Sequence, residues 1–94
     1  MDLGKMSEAF ESVTAIFELQ QVIEVTSGDD AYRIDIYCDH MNPRVPFVAY
    51  VHMEDDGCWR RLSLEEFPGV DGRTGEAALR SALDFIEQRT EGKS

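Results

Sequence analysis

The stretch AYRIDIYCD, Ala31 to Asp39, decides the fold. Its side chains alternate. Tyr32, Ile34, Ile36 and Cys38 fall on one side, and Arg33, Asp35 and Tyr37 fall on the other. A period of two over this length marks a strand with one face against a core. Just upstream, SGDD (27–30) has the composition of a turn, so a second strand should precede it.

Downstream, the loop HMNPRVP (40–46) holds two prolines and leads to FVAYVHM (47–53). The same alternation points Phe47, Ala49, Val51 and Met53 inward and leaves Val48, Tyr50 and His52 on the second face. EDDG (54–57) reads as a tight acidic turn, and CWRRL (58–62) as a short fourth strand. Ser63 and Glu66 have capping-box spacing, which predicts a single helical turn before Pro68-Gly69.

From Thr74 the period changes to that of a helix. Thr74 can cap it, and Glu76 sits in the first turn, where the helix dipole favours an anion. Ala78, Leu79, Ala82, Leu83 and Ile86 form an apolar stripe. Arg80, Asp84, Glu87 and Arg89 are assigned to water, with Arg80 and Asp84 spaced to pair and Gly92 ending the helix.

The N-terminal part carries two signals. Phe10, Val13, Ile16 and Phe17 recur at helical spacing behind Ser7, a capping residue, with Glu8, Glu11, Ser12 and Glu18 opposite. Val13, Ala15, Phe17, Leu19, Ile23 and Val25 alternate instead, which would start a strand earlier. We place a helix to about Gln20 and a strand from about Gln21 to Thr26. The result is a single α+β domain over residues 1–94, with 1–6 and 91–94 frayed. An antiparallel sheet of three to four strands is packed by the C-terminal helix, with an N-terminal helix beside it. The order, α-β-β-β-α, is that of an RNA-binding-domain shape.

Ninety-four residues, 43% of them hydrophobic and 10% aromatic, suffice for one modest core. Nineteen acidic against nine basic residues give a formal net charge of −10. That surface repels phosphate, so direct nucleic-acid binding is disfavoured, and a charged partner would be a basic protein. GRTGEAAL offers one arginine where an RNA-binding fold presents a lysine cluster. The start, MDLGKMSEAFESV, lacks the basic region and apolar core of a secretory signal, and no run is long enough to span a bilayer. The expectation is a cytoplasmic protein, not at a membrane, with Cys38 and Cys58 as reduced thiols.

Cys38, His40, His52 and Cys58 are the residue types that hold zinc, but pairing 31–38 with 46–53 puts the first two at one end of the hairpin and the others at the far end. A disulfide fails on the same geometry, so Cys38 is read as a core residue and Cys58 as a strand residue near a turn. Cys38 and His40, two apart, do not converge as a nucleophile and base. The acidic turns lack calcium-loop spacing, and Gly69, Gly72 and Gly75 fit no phosphate-binding fingerprint. Neither cofactor nor catalytic residue is implied.

The second sheet face is the candidate site. Arg33, Tyr37, Tyr50, His52 and Trp59 share it, and tyrosine, tryptophan and arginine are the residue types that anchor protein interfaces. The alternative is a second small core beneath the N-terminal helix.

The elements FVAYVHM, EDDGCW, FPGV and GRTGEAALRSAL, from about residue 46 to 88, resemble the N-terminal module of HicB-type antitoxins. That module has a strand, an acidic Asp-Gly turn with an aromatic opening the next strand, then a Pro-Gly turn. Gly-x-Thr-x-Glu follows, leading into an alanine-rich helix. Thr74, Glu76, Ala78, Leu79 and Ala82 match the helix start. The match covers under half of the chain, and about 45 residues precede it where the family has few. The resemblance implies a bacterial protein with a double-stranded-RNA-binding-domain-like shape that caps a small basic protein. The expected function is therefore a non-enzymatic protein-binding module, antitoxin-like or inhibitory. The alternatives are a nucleic-acid-mimicking inhibitor of a DNA- or RNA-handling enzyme, and a small enzyme or metal protein.

Overall fold

The computed structural model describes residues 2–63, 65–67 and 70–92. The strand centred on Ile34 is the second of five: α1 Leu3–Ser7, β1 Phe17–Ser27, β2 Asp30–Asp39, β3 Phe47–Asp55, β4 Cys58–Arg61, β5 Val70–Gly72 and α2 Gly75–Glu91. β1 to β4 form an antiparallel meander in chain order. The outer edge of β3 is shared, because β4 pairs with its residues 52–55 and β5 with 47–49. Two of the three turns in the meander are closed by glycine where an L side chain would be strained. Gly28 has φ 63° between β1 and β2, while Asp56 (φ 51°) and Gly57 (φ 80°) link β3 and β4. Successive positive φ at Asp-Gly is the two-residue turn whose twist matches that of paired strands.

α2 lies across one face. Thr74 Oγ1 accepts the Ala77 N–H at 3.1 Å, and Ala78, Ala82 and Ile86 are buried against Tyr32, Ile34, Ile36, Ala49 and Val51. Alanine at 78 and 82 lets the helix backbone approach the sheet. Gly72 makes the same accommodation from the sheet side, since a Cβ there would lie 2.8 Å from the Ala78 nitrogen. Leu62 and Phe67 close the far end, with Phe67 tilted on Phe85 at 4.8 Å between ring centroids. The α+β class and the helix-on-sheet arrangement agree with the sequence. No described helix is long and apolar enough to cross a membrane.

Several expectations are corrected. The helix is at Leu3–Ser7, in the segment read as frayed, and Asp2 rather than Ser7 caps it, its Oδ1 accepting from Lys5 N at 3.1 Å. Residues 10–16 are not helical, and 17–20 already belong to β1. From Phe17 onward, pairing with β2 supplies a ladder that an isolated helical stripe could not match. β5 has no counterpart in the sequence reading. On α2, Leu83 is exposed and Phe85 packs in its place. Arg80 pairs back with Glu76 at 3.2 Å rather than forward with Asp84. Arg89 is half-buried, 3.9 Å from both Glu66 and the Met53 sulfur. Cys38 is half-buried and outside the core. The Ser63–Glu66 box forms in both directions, with Glu66 N donating to Ser63 Oγ (3.2 Å) and Ser63 N to Glu66 Oε1 (3.3 Å). Leu64, Pro68 and Gly69 beside it lie outside the described residues.

Candidate functional site

Cross-strand partners in an antiparallel sheet put their side chains on the same face, so the register assembles the second face directly. Glu24, Arg33, His52 and Arg61 make one row across β1 to β4, and Val22, Asp35 and Tyr50 the next. Leu19, Tyr37 and Val48 form a third, with Trp59 beside Glu54 at the β4 end. All five candidate residues, Arg33, Tyr37, Tyr50, His52 and Trp59, therefore lie together on the face away from α2. Among the described residues no helix covers that face. Tyr37, Tyr50 and Trp59 remain partly exposed, and Phe17, Leu19 and Val22 are each about half exposed along the β1 side.

These residues touch. Tyr37 meets Tyr50 edge-on with centroids 5.7 Å apart. The Arg33 guanidinium lies 5.7 Å from the Trp59 ring, and that of Arg61 only 3.8 Å from the centre of Tyr50. Each such contact contributes on the order of 0.5–1 kcal/mol at a partly exposed site.

At the centre is Asp35, a carboxylate only 6% exposed. Arg33 grips it side-on, Nε to Oδ1 at 3.1 Å and a terminal nitrogen to Oδ2 at 3.4 Å. His52 Nδ1 stands 3.8 Å from Oδ2, too far for a hydrogen bond, and is buried with no hydrogen-bond partner in the protein. Burial holds the His52 imidazole below its ordinary proton affinity. The Asp35 charge opposes this, while Arg33 and Arg61 add to it. The neutral form of the ring is thereby favoured. Phe17, Tyr37, Tyr50 and Arg61 surround this pair in a concavity of about 210 Å³.

Sequence reasoning left Asp35, Arg61 and Phe17 out of the site. Alternation alone puts Asp35 with Arg33 and Tyr37, and Arg61 with Trp59, so both were within reach. Phe17 was hidden by its assignment to a helix. The zinc-type residues remain apart. Cys38 lies opposite Phe47 and Cys58 opposite Asp55, eight residues along β3, about 26 Å at a strand's rise. His40 is occupied by Glu18 at 3.0 Å. Burial, then Glu18 and Asp39, push the Cys38 thiol up and make it a poorer nucleophile.

The exposed acids are spread around the molecule: Glu18 and Glu24 on β1, Asp29 and Glu54–Asp56 at turns, and Glu76, Asp84 and Glu87 along α2. The open face mixes aromatic rings with two arginines, and Glu24 and Glu54 are the acids at its margins.

Comparison with known proteins found no matching family, no matching curated protein and no matching solved structure.

Proposed function

We propose that this chain is a non-enzymatic protein-binding module whose open sheet face receives a basic protein. The observation that supports it most is that uncovered face. Folding leaves Tyr37, Tyr50 and Trp59 half-buried beside exposed Phe17, Leu19 and Val22, with no helix among the described residues laid over them. Rigid aromatics with a polar edge are the side chains that concentrate binding energy at interfaces. A net charge of −10 draws in a basic partner and repels nucleic acid. The scattered acids favour this reading over a phosphate-mimicking stripe. An antitoxin-like or inhibitory role in a bacterial cytoplasm accords with the resemblance of residues 46–88.

The test is capture from bacterial lysate by the tagged chain at about 150 mM salt, where loose surface attraction is screened. A folded Tyr50→Ala/Trp59→Ala variant runs in parallel, and any captured protein is purified and titrated calorimetrically. The reading expects a basic protein that binds the native chain stoichiometrically and is lost with the variant. Capture that survives the variant and is released only by salt, or an empty lane, would sink it.

A further inference from the structure

We infer that the concavity around Asp35 and His52 is a seat for one alkylammonium or guanidinium group, supplied by a lysine or arginine side chain of the partner. This inference rests on the reading of the open face as a binding surface.

Two buried acceptors at this position are under-used. Asp35 Oδ2 receives only a 3.4 Å contact from Arg33, and His52 Nδ1, 3.8 Å away, receives nothing from the protein. A buried polar atom without a hydrogen bond is costly, and an N–H donor between these two would satisfy His52 Nδ1 and add a second hydrogen bond at Asp35 Oδ2. Such a donor fixes the His52 proton on Nε2, the arrangement open to a neutral imidazole. A carboxylate ligand has no place here, because it would bring its charge against Asp35.

The walls suit a cation as well. Phe17, Tyr37 and Tyr50 are π-faces and edges around the opening, and rings of this kind attract ammonium and guanidinium groups. Tyr50 already holds one, the Arg61 guanidinium at 3.8 Å. Among the described residues no carboxylate pairs with Arg61, and its side chain is exposed at the end of β4. It is a displaceable occupant: an incoming cation takes the ring and the two acceptors while Arg61 turns into solvent. The incoming cation meets two guanidinium groups, Arg33 on Asp35 and Arg61 at the rim, and the net charge of −10 of the whole chain works against that repulsion.

The test uses the whole chain, ¹⁵N-labelled, titrated separately with n-butylammonium, n-butylguanidinium, tetramethylammonium and butyrate. Saturable shifts are expected at Asp35, Tyr37, Tyr50 and His52 with at least one of the first two probes. Whichever binds better identifies lysine or arginine as the source. Tetramethylammonium, a cation with no donor, and butyrate should bind at least about tenfold more weakly. Asp35→Asn should weaken the effective probe by a similar factor. If that variant fails to fold, Tyr50→Leu at the rim carries the same expectation. The inference is overturned by no saturable shift, by an equal response to tetramethylammonium or butyrate, or by shifts confined to the acidic turn at Glu54–Asp56. Were the seat to fail while lysate capture still depended on Tyr50 and Trp59, the binding face would stand without it. Were the probes to bind while the lysate lane stayed empty, the cation seat would stand and the protein-partner reading would fall.

Discussion

Asp35 brings a charge into the middle of a sheet, where one guanidinium compensates it. Arg33 is partly exposed and Asp35 almost wholly enclosed, so removing the arginine leaves the carboxylate in poor company. Arg33→Met should cost about 1–3 kcal/mol in urea unfolding, because a buried acceptor loses its donor. It should also raise the proton affinity of His52, since an opposing positive charge is gone while the attraction of Asp35 persists. An imidazole titration by NMR would show that rise; a fall would contradict the account of the pair. The sequence reveals which face Asp35 occupies, since alternation from Tyr32 to Cys38 leaves no other choice. Its burial is not legible there. It depends on His52, Tyr50 and Arg61, brought alongside by three strands whose register no local pattern specifies.

At the scale of elements, β2, β3 and α2 were readable because each has one period and one apolar side. β1 was not, because Phe10, Val13, Ile16 and Phe17 happen to satisfy a helical stripe while the strand's partner lies in β2. The join between β5 and α2 could not be read either, although it is among the tightest places in the fold. Gly72→Ala would drive a methyl group against the Ala78 and Thr74 backbone, at 2.8 and 3.1 Å, where neither neighbour is a flexible side chain. We expect a loss of about 1–3 kcal/mol, the usual cost of overpacking. For a domain of this size each kcal/mol lowers Tm by about 4–8 °C. Calorimetry on this variant, with Gly57→Ala as a comparison site open around its Cβ position but strained in φ, would separate crowding from backbone conformation.

Across the whole molecule, Glu66 ties the end of the meander to α2. It pairs with Arg60 at 3.1 Å and lies 3.9 Å from Arg89, while also closing the Ser63 box. The Arg60 hydrogen bond, then those from Ser63, hold the Glu66 carboxyl at about 2 instead of its ordinary 4.5. Depression below the unfolded value means that the folded chain gives up this proton more readily. The stabilisation is therefore complete above pH 4.5 and disappears as pH falls from there towards 2. Glu66→Gln should be less stable than the native chain at neutral pH, and the two denaturation midpoints should converge through that acid window. A constant gap between them would contradict this role.

The β1–β2 register slips between Leu19 and Gln21, with Gln20 as the extra residue of a bulge. β1 is also the outermost strand, eleven residues long. An outer strand of that length is a template on which further chains can add, and a bulge spoils the template by breaking its spacing. The bulge at exposed Gln20 is therefore expected to limit edge-to-edge growth of the sheet. Deleting Gln20 should leave the circular dichroism spectrum nearly unchanged and let the chain scatter light increasingly with time and concentration. A deletion variant that stays as clear as the native chain would show that Glu18 and Glu24 suffice to keep this edge to itself.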